Sequence, residues 1–216
     1  MATQQIALVD YGSSNLHSVE KALITAAGQN ANITTTGVAE VIAAADKVVF
    51  PGQGAIGKCM QRLRETGLDA ALKEALREKP FLGICLGLQS LMETSEEDGG
   101  VSCLGAVPGH TVRLTPNATD PDTGLRLKIP HMGWNQVEWA RPHALTAGIP
   151  SGERFYFVHS YMVQPGDPES VVGIADYGQR FCVALGTENL FAVQFHPEKS
   201  ASAGLSILRN FVSWRP

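Results

Sequence analysis

The sequence predicts an α/β fold: one domain with a mostly parallel central sheet, flanked by helices and carrying an antiparallel extension. Three observations lead there. Short apolar runs at 6–9, 47–50 and 80–84 each stop at a turn, as strands buried on both faces do. Helical periodicity fills much of the chain between them, so these are βαβ units and their strands run parallel. From residue 136 onward, strand-like segments follow one another too closely for helical crossovers, so they read as antiparallel pairs.

The elements follow in order. The run 6–9 ends at Asp10-Tyr-Gly12. A helix is expected over 16–27, with Leu16, Val19, Leu23 and Ile24 on one face and Gly28 as its stop. Residues 32–36 are β-rich and 41–45 suit a short helix. The strand 47–50 closes in Pro51-Gly-Gln-Gly54, and helical patterns return at 60–66 and 68–77. The strand 80–84 runs straight into Cys85, with a helix expected over 86–92. Between 99 and 135 the chain is rich in Gly, Pro and polar residues, with a β-like piece at 110–114. Strands are expected at 136–139, 155–158, 171–175, 181–185 and 190–195. An amphipathic helix at 203–214 closes the chain, with Leu205, Leu208, Phe211 and Val212 inward. No repeat, low-complexity tract or linker divides the sequence, so residues 1–216 are expected to form one domain.

Composition narrows the function. The 216 residues carry 17 Lys and Arg against 21 Asp and Glu, a net charge of −4 that excludes a strongly basic nucleic-acid binder. No apolar run approaches the roughly 18 residues of a membrane span. The run 6–9 stops at Asp10, too short for a signal-peptide core, so the expected compartment is the cytosol. The four cysteines, Cys59, Cys85, Cys103 and Cys182, include no C-x-x-C pair. They are expected to be free thiols, three of them packing residues and one chemical. Neither paired-cysteine spacing nor H-E-x-x-H is present, so no metal and no organic cofactor is expected.

The sharpest motif is Gly83-Ile-Cys85-Leu-Gly87. It has the G-x-nucleophile-x-G form between a strand and a helix, the nucleophile elbow with cysteine in place of serine. The glycines allow a turn too tight for a Cβ on either flank. A helix N-terminus beyond the cysteine favours thiolate and offers N–H groups to an oxyanion. A buried structural cysteine is the alternative. A thiolate needs a proton shuttle, and His196 follows an apolar strand in Phe195-His-Pro-Glu-Lys199. Pro197 biases His196 toward extended geometry, in which Glu198 lies on the same side and orients the ring as a triad acid does. His17, His110, His131 and His143 occupy loop-like or surface-like contexts. Pro51-Gly-Gln-Gly54 can aim backbone N–H groups at developing negative charge; a plain turn or a phosphate cradle are the other readings. All three segments follow strands, and sites in open α/β sheets form at the carboxyl ends of strands.

Together, Gly83-Ile-Cys85-Leu-Gly-Leu-Gln89 and Phe195-His196-Pro-Glu198 resemble the class I, triad-type glutamine amidotransferases. The segments Asp10-Tyr-Gly-Ser-Ser-Asn15-Leu, Pro51-Gly-Gln-Gly-Ala55, Pro130-His-Met-Gly-Trp-Asn135 and Tyr156-Phe-Val-His-Ser-Tyr161 resemble the branch of glutaminase subunits that serve imidazole glycerol phosphate synthesis. The resemblance covers nearly the whole chain. Gln53 departs from it, standing where related proteins often carry a small apolar residue.

The resemblance implies a flavodoxin-like core and glutamine as substrate. It implies a catalytic triad of Cys85, His196 and Glu198. The oxyanion would be held by N–H groups of Gly52, Gln53, Gly54 and Leu86. Glutamine itself would be held by Gln89, by Glu97 (or its neighbours Glu93 and Glu96) and by Ser160 and Tyr161. It further implies a cyclase partner with a (β/α)8 barrel, forming a heterodimer and receiving ammonia to make imidazole glycerol phosphate and an aminoimidazole carboxamide ribotide in histidine biosynthesis. A glutaminase subunit serving another acceptor, or a cysteine hydrolase of similar fold, are the alternatives.

Overall fold

A computed structural model describes residues 3–12, 16–115, 119 and 124–216. The strand–helix alternation of the first half takes the expected form. β1 (Gln4–Val9), α1 (Leu16–Ala27), β2 (Ala31–Thr36), α2 (Ala39–Ala44), β3 (Lys47–Gly52), α3 (Ile56–Thr66), α4 (Leu68–Glu78) and β4 (Phe81–Cys85) follow in order, and α5 (Leu86–Gln89) begins directly at the end of β4. The chain then turns to β structure: β5 (Thr94–Ser95), β6 (Val101–Ser102), β7 (Gly109–Arg113), β8 (His131–Trp139), β9 (Glu153–His159), β10 (Tyr161–Pro165), β11 (Val171–Asp176), β12 (Arg180–Gly186) and β13 (Leu190–Val193). α6 (Ala201–Ser213) closes it.

The sheet runs β2-β1-β3-β4-β13-β12-β10-β7-β5-β6, and β11 branches from β12 to carry β8 and β9. β2, β1, β3, β4 and β13 are mutually parallel. From β12 the direction reverses, which gives the antiparallel extension. Because the parallel strands are covered on both faces, their sequences are continuous apolar runs. Alternate residues enter opposite cores. Ile6, Leu8 and Val49 join Leu23 of α1 and Ile207, Leu208 and Phe211 of α6 on one side. Ala7, Val9, Val48 and Phe50 join Ile42 of α2, Met60 and Leu63 of α3 and Leu72 of α4 on the other.

Several elements differ from expectation. The helix expected over 86–92 stops at Gln89, where the Ser90 hydroxyl turns back to donate to the Leu86 carbonyl at 2.7 Å. β8 begins at His131 rather than 136, because pairing with β9 starts at His131 opposite His159. β10 was not anticipated: Tyr161–Pro165 carries little alternation and is held by pairing with β7. The two-residue strands β5 and β6 are too short for any periodicity. Residues 13–15 of the Asp10–Leu16 motif lie outside the described residues. Among the described residues, no helix is long and apolar enough to cross a membrane, and no cluster of His, Cys, Asp and Glu could hold a metal ion.

The edge of the sheet opposite the strand carboxyl ends is fastened by lysine. Lys47, at the start of β3, is almost fully buried. Its Nζ donates to the carbonyls of Phe211 at 2.6 Å, Val212 at 2.9 Å and Trp214 at 2.5 Å at the end of α6, acceptors it shares with the Trp214 N–H and the Arg215 guanidinium. Lys79 does the same for the end of α2, through the carbonyls of Ile42, Ala43 and Ala45. Replacing Lys47 by methionine removes three buried hydrogen bonds at once and leaves each of those carbonyls one donor short. The Lys47→Met variant is therefore expected to lose about 2 kcal/mol of stability, measured as a lowered urea midpoint at unchanged slope.

Candidate active site

The parallel strands bring three loops to one edge. β3 and β4 pair with Gly52 opposite Cys85. β13 pairs with β4 on the other side, with Val193 opposite Ile84, so the chain leaves β13 toward His196 beside Cys85. The sequence-predicted sulfur, imidazole and glycine loop thus meet, far apart along the chain as they are.

Cys85 sits at φ 55° and ψ −106°, outside the regions open to ordinary L residues. Close packing holds it there. A Cβ on Gly87 would overlap the Phe50 carbonyl oxygen, and one on Gly83 would lie 3.0 Å from Ala192 Cβ and 3.2 Å from the Gly87 carbonyl carbon. Both flanking glycines are therefore steric requirements of the elbow. Gln194 of the β13–His196 link donates its side-chain amide to Cys85 Sγ at 3.6 Å, and the Val158 carbonyl lies 4.0 Å from the sulfur.

His196 is held from both sides. Its backbone N–H donates to the Tyr156 carbonyl at 2.9 Å. Its carbonyl accepts from the Ser200 hydroxyl at 2.6 Å, and that hydroxyl in turn accepts from the Tyr156 N–H at 2.9 Å. His196 is extended, as Pro197 dictates, at φ −102° and ψ 97°. The pairing with Glu198 arises differently from expectation. Pro197 opens a 3-10 turn over Pro197–Lys199, and the turn, not a continued extended run, swings the carboxylate back to 2.8 Å from Nδ1. Both side chains are almost wholly buried, at 3% and 1% exposure. Burial opposes charge on the ring, but the neighbouring Cys85 and Glu198 outweigh it and raise the His196 pKa to about 10. The ring therefore holds its proton at neutral pH, and among the described residues no hydrogen bond reaches its buried Nε2.

A cavity of about 320 Å³ opens over this group, lined by Gln53, Gly54, Cys85, Leu86, Gln89, Glu97, Pro130, Val158, His159, Ser160, Tyr161 and His196. Most of the expected site residues thus meet around it. Gly52 does not line it; it lies within β3, where a Cβ would press on Leu86 Cβ at 2.8 Å and on the Tyr11 hydroxyl at 2.9 Å. Glu198 is held behind His196. Of the three acidic candidates, Glu97 alone reaches the cavity. Its carboxylate also accepts the Ile56 N–H at 3.1 Å, and burial raises its pKa. Glu93 and Glu96 face elsewhere, accepting the N–H groups of Gly109 and Arg113. Gln89 presents its carboxamide to the cavity, but its NH2 is already engaged by the Tyr161 carbonyl at 3.1 Å and by Gln194 Oε1 at 3.0 Å.

Two expectations need correction. His131 is not a surface residue: it is 3% exposed and stacked between Phe157 and Tyr177. His143 is half-buried against Phe191, and burial, with Arg141 nearby, lowers its pKa to about 4. Gln194, His159, Val158 and Pro130 were missed. Gln194 precedes the Phe195–Glu198 motif by one residue, and the others lie inside or at the edge of quoted motifs, but no spacing marks their roles. The remaining cysteines behave as packing residues. Burial pushes Cys59 and Cys103 up to about 11 and Cys182 to about 12, and all four thiols are free.

An elbow cysteine beside a buried histidine–carboxylate pair is the arrangement expected of a class I glutamine amidotransferase, and comparison gives that class. The glutamine amidotransferase class-I family model matches residues 7–214, and the chain belongs to that family. It is similar to imidazole glycerol phosphate synthase subunit HisH of Dechloromonas aromatica, 53% identical over 216 residues, covering 100% of this chain and 99% of the relative. The subunit of the same name from Thiobacillus denitrificans is 52% identical over 98% of this chain and 92% of its own length. That from Neisseria meningitidis serogroup A is 50% identical over 97% and 100%. In fold, the chain matches the crystal structure of a glutamine amidotransferase at TM-score 0.69 and 17% identity, covering 96% of this chain and 97% of that one. It matches PurLQS from Thermotoga maritima at TM-score 0.68 and 15% identity, covering 98% and 99%.

The raised pKa of His196 makes a stability prediction. A ring that keeps its proton to about pH 10 when folded, against 6.5 for an ordinary imidazole, adds stability that is complete below pH 6.5 and disappears as pH rises toward 10. The wild type is therefore expected to lose stability relative to His196→Asn across that window in chemical denaturation. Parallel pH profiles for the two proteins would refute the assignment.

Proposed function

We propose that this chain is the glutaminase subunit of an imidazole glycerol phosphate synthase. The observation that carries the reading is the buried His196–Glu198 pair facing Cys85 at the strained elbow. Cys85 sulfur attacks the carboxamide carbon of glutamine, forming the C–S bond and a tetrahedral oxyanion. Backbone N–H groups of Leu86 and of Gln53 and Gly54, the loop residues that line the cavity, stabilise that oxyanion. His196, orientated by Glu198, gives its Nε2 proton to the departing nitrogen; the C–N bond breaks, and ammonia and a thioester remain. The now neutral ring takes a proton from water, whose oxygen attacks the thioester. Collapse of the second tetrahedral species breaks the C–S bond, leaves the Cys85 thiolate beside the reprotonated ring, and releases glutamate, whose new carboxyl group gives its proton to solvent. Glu97 meets the substrate's α-ammonium and the Ser160–Tyr161 segment its α-carboxylate, while Gln89 lies alongside. A carboxylate with a raised pKa gains most from an arriving cation.

Ammonia released into bulk water is protonated and lost as a nucleophile, so the cavity is expected to be covered. The names of the relatives point to a synthase partner, and we read it as a cyclase of (β/α)8 architecture forming a heterodimer. Its docking surface is the rim beside Pro130. There Met132 and Trp134 on β8 stand 61% and 50% exposed, with Leu125 and Ile129 exposed nearby, a grouping typical of interface anchors.

The test is glutamate release by the purified chain mixed with a barrel cyclase, with and without the acceptor ribotide. Turnover is expected to depend on the complex and to vanish in Cys85→Ala with the complex intact. Peptide cleavage without glutamine turnover would instead mark a cysteine hydrolase. Trp134→Ala is expected to weaken the complex by at least about tenfold, read by titration calorimetry, while leaving the fold unchanged.

A further inference from the structure

A chain of hydrogen bonds runs from β8 to the nucleophile, and its direction is fixed by carbonyl groups that can only accept. Asn135 Nδ2 donates to the Asp176 carbonyl at 2.8 Å, and its oxygen accepts the Gln136 N–H at 2.8 Å. Its NH2 therefore also faces His131 Nε2, 3.4 Å away. His131 Nδ1 lies 2.9 Å from His159 Nε2, and His159 Nδ1 lies 2.8 Å from the Tyr161 carbonyl. That carbonyl requires an N–H on His159 Nδ1. In a neutral ring Nε2 is then an acceptor, and His131 must supply its Nδ1–H. Both rings remain neutral: burial, with the companion ring beside it, brings His131 down to about 3, and burial also brings His159 down to about 4. The same Tyr161 carbonyl accepts from Gln89, whose other N–H goes to Gln194 Oε1, and Gln194 donates to Cys85 Sγ. Donors and acceptors match at every junction.

We propose that His131 and His159 are positioning residues for glutamine hydrolysis, a direction-locked imidazole pair. They fix the Tyr161 carbonyl, and through it Gln89 and Gln194 against the nucleophilic sulfur. The proposal rests on the glutaminase reading of the site. Neither ring transfers a proton in the reaction. His159 lines the cavity wall directly before Ser160 and Tyr161, so a ring that turned or shifted would move the backbone assigned to the substrate carboxylate. His131 lies one layer behind, stacked 4.9 Å from Phe157 and 4.0 Å from Tyr177. Those two aromatic faces set the plane in which its Nδ1–H points.

Packing and hydrogen bonding can be separated at residue 131. His131→Phe keeps an aromatic ring in the stack but removes the donor, stranding His159 Nε2 as a buried acceptor. His131→Asn keeps a donor near the position of Nδ1 and loses the stack. With the cyclase complex and glutamine, His131→Phe is expected to lower kcat/KM at least roughly tenfold. His131→Asn is expected to recover part of that loss although its thermal midpoint falls further. A rate that follows packing instead, with Asn slower than Phe, or a Phe variant within about twofold of wild type, would overturn the proposal. Nitrogen-15 shifts of the wild-type histidine rings provide a readout independent of turnover. Both rings are expected as the Nδ1–H tautomer at pH 7. An Nε2–H or doubly protonated ring at either position would also overturn it. If the wild-type complex releases no glutamate, the glutaminase reading fails on its own, while the ring shifts still decide the direction of the hydrogen-bond chain.

Discussion

The passage of α5 beneath β3 governs the catalytic edge. Helix and strand approach until the Gly87 backbone rests against the Phe50 carbonyl, with no room for a β-carbon. That approach forces Cys85 into a conformation that costs on the order of 1–3 kcal/mol, and in return aims its sulfur out of the sheet at the start of a helix. β3 then carries its glycine loop past the elbow with Gly52 directly opposite Cys85. Because the same contact sets both the Cys85 sulfur and the loop, they cannot drift independently. The buried Phe50, packed edge-on against Tyr11 and Phe81, transmits the constraint into the core.

Three buried imidazoles around this cleft are driven in opposite directions, and the contrast explains their division of labour. His196 has a carboxylate on one nitrogen and the sulfur on the other side, so charge is favoured despite burial. His159 and His131 have only each other, a backbone carbonyl and an amide, so burial prevails and they stay neutral. A positive His196 also disfavours a second charge at His159. One protonated ring among neutral neighbours leaves a single proton donor facing the sulfur.

Much of this was legible in the sequence. Apolar runs gave the parallel strands, because strands covered on both faces tolerate little else. Gly83, Cys85 and Gly87 gave the elbow, because sterics permit few residues there. His196 and Glu198 announced themselves through Pro197, although the proline builds a tight turn where an extended pair was expected. What escaped was tertiary. His131 follows a proline in a polar stretch and looks exposed until β9 and the Tyr177 turn close over it. Gln194 reads as one more residue at a strand end, and only the juxtaposition of β13 with β4 brings it to the sulfur. The family resemblance favoured Glu97, but no pattern of the residues themselves separates it from Glu93 and Glu96; that follows from where the loop places each carboxylate.

The cysteines carry a practical corollary. Cys59, Cys103 and Cys182 hold their protons well above neutral pH, whereas Cys85 alone opens onto the cavity. A soft electrophile shaped like an amino-acid side chain thus finds one sulfur in the cavity that fits it, while the partly buried Cys103 keeps its proton. The enzyme carries its own label site, suited to counting competent molecules in a preparation or to mounting a reporter at the mouth of the cleft.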